Sequence, residues 1–373
     1  MSKTHWHFPR SEFAESIYKL LADGPIQAIT LFGPRRTGKT QFLTQDLAPL
    51  AENKSHRVVY ASLWQTIDSP LGILLYEFDI ALREGSFLSR VRSAASDIAP
   101  KFKLTAPFAA GQVEIDLAKL KGKAPESHLL LLDQYCEKLA NENKPTFLLF
   151  DEFQEITRSK VAEPLVAALR TSLDKRKDGL VAVFTGSSQE GLRSMFSTRQ
   201  APFYRFAQPA QLPSLDSAFV DHQLQAFRAT SKAKVERVAA IAIFERFERN
   251  PLFFQRWLMT LALNPDLPGE EAVERVQSEV AEEFGFMARW IDLSAPQRLV
   301  VRMLACGVKR IYSKEASEFA EKLTSATAPP PSRLQTALER LSRLGLVDEW
   351  EDDLRLSDPL FETWVRERPP SEF

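Results

Sequence analysis

The stretch from Ile29 to Leu43 constrains this chain more than any other. Ile29-Thr30-Leu31-Phe32 has the apolar run of a strand, and Gln41-Phe42-Leu43 permits a helix. Between them lies Gly33-Pro34-Arg35-Arg36-Thr37-Gly38-Lys39-Thr40, a G-x-x-x-x-G-K-T loop with the flanks it requires. Gly33 and Gly38 allow close backbone approaches that a Cβ would obstruct. The loop from Gly33 through Pro34, Arg35, Arg36, Thr37 and Gly38 to Gln41 is expected to bind nucleotide. Its N–H groups, at a helix N-terminus, would cradle the phosphates. Lys39 is expected to neutralise the β- and γ-phosphates and the Thr40 hydroxyl to ligate Mg2+. The competing reading is a chance match in a glycine-containing turn.

A second motif sits downstream. Thr146-Phe147-Leu148-Leu149-Phe150 is a continuous apolar strand, as a parallel sheet buried on both faces requires, and it ends in Asp151-Glu152. Carboxylates at that strand end hold the magnesium shell beside such a loop, so Asp151 suits the metal. Glu152 suits the general base that polarises an attacking water. The competing reading is an acidic turn after a core strand. Arg57–Leu63 and Leu180–Phe184 read as further strands, and Ala14–Ala22, Leu71–Arg83, Ser127–Ala140 and Val161–Leu173 as helices. Residues 1–212 are thus expected to form an α/β core with a parallel sheet and flanking helices.

The bulk composition excludes little. The chain of 373 residues is 44% hydrophobic and 26% charged with a net charge of −1, so any nucleic-acid surface must be local. Cys136 and Cys306 fit no metal spacing and, lying in apolar helical patterns, are expected to be buried thiols. The start, Met1–His7, lacks a signal-peptide core, and no apolar run reaches the length of a membrane span. A cytoplasmic protein without a membrane partner is expected. From Arg83 to Lys123, eight basic residues face four acidic ones, and Lys101–Thr105 and Gln112–Leu117 alternate as a β-hairpin insertion over 83–123 would. That basic excess suits a phosphate backbone or simply a solvated surface.

Several weaker candidates remain. Phe8 precedes the first helix and could pack on adenine; a helix staple with Phe13 is the alternative. Thr185-Gly186-Ser187-Ser188 ends the Leu180–Phe184 strand, where Ser187 could sense a γ-phosphate or cap the next helix. Arg193, Arg199 and Arg205 are candidates for an arginine finger reaching a neighbour's phosphate, or for surface salt bridges. Helices over Asp216–Ala229, Lys232–Glu248, Leu252–Leu263 and Glu270–Trp290 make residues 213–292 an all-α lid.

Residues 293–373 carry helices at 294–305, 313–323 and 332–344, then a hairpin of Leu346–Trp350 and Leu354–Leu356. This order resembles a winged helix, whose third helix offers Arg333, Gln335, Arg340 and Arg343 to a DNA groove. Against DNA, the region holds twelve basic and thirteen acidic residues, with Glu349, Glu351, Asp352 and Asp353 at the wing. Protein contact or lid-like packing is at least as strong a reading as DNA binding. Phe361 and Trp364 read as core anchors.

The chain as a whole resembles the archaeal-type ATPase branch of the AAA+ and STAND P-loop ATPases. The resemblance rests on Phe8-Pro9-Arg10-Ser11-Glu12, Gly33–Thr40, Asp151-Glu152-Phe153-Gln154, Thr185–Ser188 with Pro202-Phe203-Tyr204-Arg205, and Asn250-Pro251. It implies that Phe8 and Arg10 belong to the nucleotide site and that Pro251, in the lid, touches the nucleotide. Locally, Pro251 reads as a first-turn helix proline capped by Asn250. Glu248-Arg249 stand where the family has glycines, and Arg205 is displaced by one place from the family's arginine.

The function expected is an ATP-binding, Mg2+-dependent ATP-hydrolysing switch whose nucleotide state sets the position of the winged helix in a DNA-linked or defence process. Its turnover would be low or partner-dependent, with a protein partner and nucleotide-dependent homo-oligomers among its assemblies. Two alternatives stand beside it: a DNA-binding ATPase like replication initiators or transposition regulators, and a non-hydrolysing ATP-bound adaptor.

Overall fold

A computed structural model describes residues 3–64, 69–84, 86–87, 104–106, 113–115, 126–141, 143–159, 162–186, 189–324, 327–350 and 353–369. Strand β1 (Ala28–Phe32) leads into the glycine-rich loop, and β2 (Val58–Ser62) comes next. Strands β3 (Leu104–Ala106) and β4 (Val113–Ile115) pair antiparallel, which is the hairpin expected within 83–123. Most basic residues of that segment, Arg90 to Lys123, lie outside the described residues. The sheet is completed by β5 (Thr146–Asp151), β6 (Leu180–Thr185) and β7 (Gln208–Gln211).

The order is β2-β5-β6-β1-β7, with every pairing parallel. The runs Thr146–Phe150 and Leu180–Phe184 are buried throughout because helices cover both faces. Alternate residues enter opposite cores. Phe147, Leu149 and Val183 join one cluster, while Leu148, Phe150 and Phe184 join the other. β7 was not expected: Gln208-Pro209-Ala210-Gln211 is polar and largely exposed, and among the described residues it pairs only with β1, at an edge that tolerates proline.

The lid region holds helices Ser217–Thr230, Arg237–Arg246, Pro251–Leu263, Gly269–Glu283 and Phe286–Asp292. The single helix expected over Glu270–Trp290 is broken at Gly285, whose φ is +60°. The second helix begins at Arg237 rather than Lys232. Helices Ala295–Ala305, Lys314–Thr324 and Pro331–Arg343 precede the antiparallel hairpin of β8 (Val347–Trp350) and β9 (Asp353–Leu356). A final helix, Pro359–Glu367, packs back on this unit. Wing residues Glu351 and Asp352 lie outside the described residues.

One hydrophobic cluster runs without a break from Leu215 to Val365, so lid and C-terminal region share a core. Phe286 and Trp290 of the last lid helix meet Phe361 and Trp364 of the final helix, with centroids 5.3 Å (Phe286–Phe361) and 6.3 Å (Trp290–Trp364) apart. Phe361 is buried and Trp364 half-buried. Cys136 is buried, but Cys306 is exposed. It sits just past its helix, before Gly307 at φ +85°, so the apolar pattern that predicted burial ends one residue too early. Among the described residues no helix is long and apolar enough to cross a membrane.

Candidate functional site

The loop Gly33–Thr40 connects β1 to helical turns at Lys39–Gln41, a π-helical stretch Phe42–Leu47 and the helix Ala48–Asn53. π-turns concentrate at functional sites. Gly38 has φ +93°, a conformation that favours glycine, and Arg10 covers it: a Cβ there would stand 3.3 Å from Nη1. Arg10 Nη2 donates to the Thr37 carbonyl at 2.8 Å. Burial pushes the Arg10 pKa down while Asp46 pulls it up. His7 Nε2 lies 2.6 Å from Asp46 Oδ1. The segment before the first helix is thereby fastened both to the loop and to the π-helical stretch that holds Asp46.

Lys39 is buried, and its Nζ donates to the carbonyls of Gly33 (2.7 Å) and Pro34 (2.8 Å). Burial lowers its pKa to about 8, against the opposing charges of Glu152 and Asp151. Three hydroxyls converge on Asp151. Thr40 Oγ1 donates to Oδ2 at 2.6 Å, the Tyr60 hydroxyl donates to the same oxygen at 3.0 Å, and Thr185 Oγ1 donates to Oδ1. Burial and the charge of Asp151 push the Tyr60 pKa far up, so its proton stays in that hydrogen bond. Tyr60 was not anticipated, because in the sequence it reads as one more residue of a buried strand.

Two adjoining cavities of about 260 and 430 Å³ share Arg36, Thr40 and Glu152. The first is lined also by Gly38, Lys39, Gln41, Pro251, Leu252 and Gln255. The second adds Arg35, Tyr60, Ser62, Trp64 and Asp151. Their sizes suit a small-molecule ligand. Thr40 and Asp151 offer a hydroxyl and a carboxylate oxygen 2.6 Å apart, a donor set that fits a hard cation completed by phosphate oxygens and water. Among the described residues no group of three or more His, Cys, Asp or Glu could hold a metal.

The remaining candidates divide. Pro251 starts its helix with Asn250 capping Leu252 N at 3.1 Å, as the local reading expects, and it also lines the first cavity. The preceding Glu248 and Arg249 have φ +51° and +54°, the glycine-favoured region held by two non-glycines. Phe8 packs edge-on against Phe219 (5.8 Å) and His222 (5.6 Å) of the lid, whereas Phe13 packs on Phe42, so the two form no staple. Arg193 and Arg199 are exposed and line neither cavity. Arg205 lies at the opposite end of the sheet, in a depression with Gly24, Gln27, Pro145 and Lys177, all at the N-terminal ends of the strands. It cannot reach its own chain's phosphate loop. Ser187 lies outside the described residues.

The loop also reaches the C-terminal region. Arg36, at φ +64°, donates through Nη1 to Asp358 Oδ2 at 2.8 Å. Its guanidinium stands 3.7 Å from the Phe284 ring centroid. Arg35 Nη2 lies 3.7 Å from where a Cβ on Gly345 would be, at the turn into β8. Asp348 of β8 is buried and near enough to raise the pKa of Lys39. No spacing in the sequence announces these contacts.

Among solved structures, the chain is similar to a Walker-type ATPase of Pyrococcus abyssi, with 18% identity over 96% of each chain and a TM-score of 0.64. It is similar also to the ORC2 protein of Aeropyrum pernix in its ADP form, with 18% identity, 95% of this chain, 93% of that one and a TM-score of 0.53. The same protein in ADPNP–ADP complexes gives 17% identity, 97% and 96% coverage and a TM-score of 0.52. No protein-family model matches the sequence, and no curated protein sequence does. At these identities the likeness is one of fold: a parallel α/β sheet with flanking helices, followed by a helical lid and a C-terminal winged-helix unit.

Proposed function

We propose that the protein is an ATP-hydrolysing switch in which nucleotide controls how the lid and C-terminal region dock on the α/β core. The observation that carries this reading is the hydrogen bond from Arg36, inside the phosphate loop, to Asp358 of the C-terminal region. Any anion that draws on Arg36 competes with Asp358. Because lid and C-terminal region share one core, that competition acts on a single body. The division at residues 212–213 is then the functional hinge, and that at 292–293 only a change of chain segment.

For the chemistry, Lys39 and the loop N–H groups bind the β- and γ-phosphates, and Pro251, Leu252 and Gln255 close the other side. Thr40 and Asp151 would hold Mg2+, which would supply charge neutralisation at the phosphates. Glu152 accepts the proton of a water whose oxygen bonds to the γ-phosphorus as the bond to the β-γ bridging oxygen breaks. The expected results are loss of nucleotide binding in Lys39→Ala, and retained binding without turnover in Glu152→Gln. Normal hydrolysis by Glu152→Gln would remove Glu152 from this role.

A second reading has one observation in its favour. Arg333, Gln335, Arg340 and Arg343 are all exposed on the helix Pro331–Arg343. Contact of that face with DNA predicts affinity falling steeply with salt. Absence of binding at low salt in ATP and in ADP excludes it and leaves a protein partner or a second copy of the chain as the target.

A further inference from the structure

Beside Glu152, one buried amide occupies a place that only a glycine leaves open. Gln154 Nε2 donates to Glu152 Oε2 at 2.5 Å and stands 3.3 Å from Glu155 Oε1. Its other end, Oε1, is buried with no hydrogen-bond partner among the described residues and lies against Gly186. A Cβ on Gly186 would fall 2.1 Å from that oxygen and 3.0 Å from Cδ. The φ of Gly186 is outside the left-handed region, so its backbone accepts other residues. The amide of Gln154 is what excludes them. A buried carbonyl oxygen with no donor is costly, and the cost is borne directly below Glu152.

Glu152 itself has φ +53° and ψ +44°, unfavourable for a residue with a Cβ and held only where surrounding contacts enforce it. It lines both cavities. Gly186 comes after Thr185, whose hydroxyl bonds Asp151, so the end of β6 touches both carboxylates, one directly and one through Gln154.

We propose that Gln154 is a positioning residue for the Glu152 carboxylate and that Gly186 is the floor it stands on. This rests on the reading of Glu152 as the base. The amide fixes Oε2 of a carboxylate that belongs to the cavity wall. The charged groups facing Glu152 are Asp151 and Glu155 on its own segment, with Arg158 paired to Glu155, and Lys39, Arg35 and Arg36 across the cavities.

The test measures ATP turnover and nucleotide affinity in four variants beside Glu152→Gln. Gln154→Ala and Gly186→Ala are each expected to lower kcat by about 10- to 100-fold, since a misplacement of about 1 Å costs that much, with affinity changed less than about twofold. The double variant should be no slower than the worse single one, because both remove the same contact. Gln154→Glu keeps the shape but withdraws the amide donor from Glu152 Oε2, so kcat should fall by about 10- to 100-fold while affinity changes less than about twofold. A packing role alone leaves kcat of this isosteric variant at the wild-type value, and the variant remains readable if an alanine variant fails to fold. Wild-type kcat in Gly186→Ala or in Gln154→Glu, or multiplying single effects, overturns the proposal. If Glu152→Gln turns over normally, it is the assignment of the base that fails.

Discussion

Lys39 provides the sharpest pH-dependent expectation. Its burial lowers the pKa from an ordinary 10.5 to about 8, which corresponds to about 3 kcal/mol against the charged form. A bound triphosphate places negative charge on Nζ and raises that pKa again, so above pH 8 binding requires uptake of a proton. ATP affinity should therefore be flat below about pH 7.5 and fall about tenfold per pH unit above 8, reaching about a hundredfold by pH 10. The stability effect has the opposite direction in pH. Because the folded pKa lies below the unfolded one, the cost of burying Lys39 is full below pH 8 and disappears above 10.5. The protein without nucleotide should therefore gain up to about 3 kcal/mol relative to Lys39→Met across that window. Fluorescence titration with a labelled ATP from pH 7 to 10 reads the first effect. Lys39→Arg does not titrate there and should lose the pH dependence whatever its affinity. Wild-type affinity that stays constant from pH 7.5 to 9.5 would refute Lys39 as a buried, phosphate-binding ammonium.

The same contacts give two further expected outcomes. Asp358→Asn keeps the cap on Leu360 N through its one carbonyl oxygen but sets an amide NH2, which cannot accept, where Oδ2 takes the bond from Arg36, so the charge-assisted bond is lost. The loss of about 1–2 kcal/mol should speed amide exchange of the Val347–Leu356 hairpin by about 5- to 30-fold, and unchanged exchange would show that the docking does not depend on this pair. Tyr60→Phe removes one of three hydroxyls holding Asp151. It should raise the Mg2+ needed for half-maximal turnover by about tenfold while nucleotide binding in EDTA stays the same, and an equal loss in both assays would point to a folding defect instead.

The features visible in the sequence are those whose cause is local. The loop Gly33–Thr40 and the acidic end of β5 can be read because glycine, lysine and a continuous apolar run each have one mechanical use in that order. The five-stranded sheet was legible for four strands. Polar and exposed β7 was not, since its place depends wholly on the edge of β1. The arginine candidates show the same limit. Arg205 lies close in sequence to β6, yet the chain carries it to the other end of the sheet. Arg36 reads as a loop spacer, and its partner is 322 residues away. Glu248 and Arg249 depart from the glycines expected by resemblance, but their backbone adopts the glycine-like conformation regardless.

If nucleotide moves the lid and C-terminal region as one body against the core, the distance between the two changes with nucleotide state. It can be measured with a label pair at Leu130, exposed on the core, and Lys314, exposed on the C-terminal region, with Cys306 replaced and Glu152→Gln included to hold ATP intact. Distinct distance distributions are expected in Mg2+-ATP and Mg2+-ADP, with convergence of the two when Asp358→Asn is added. Identical distributions in ATP and ADP, with both nucleotides bound, would contradict it.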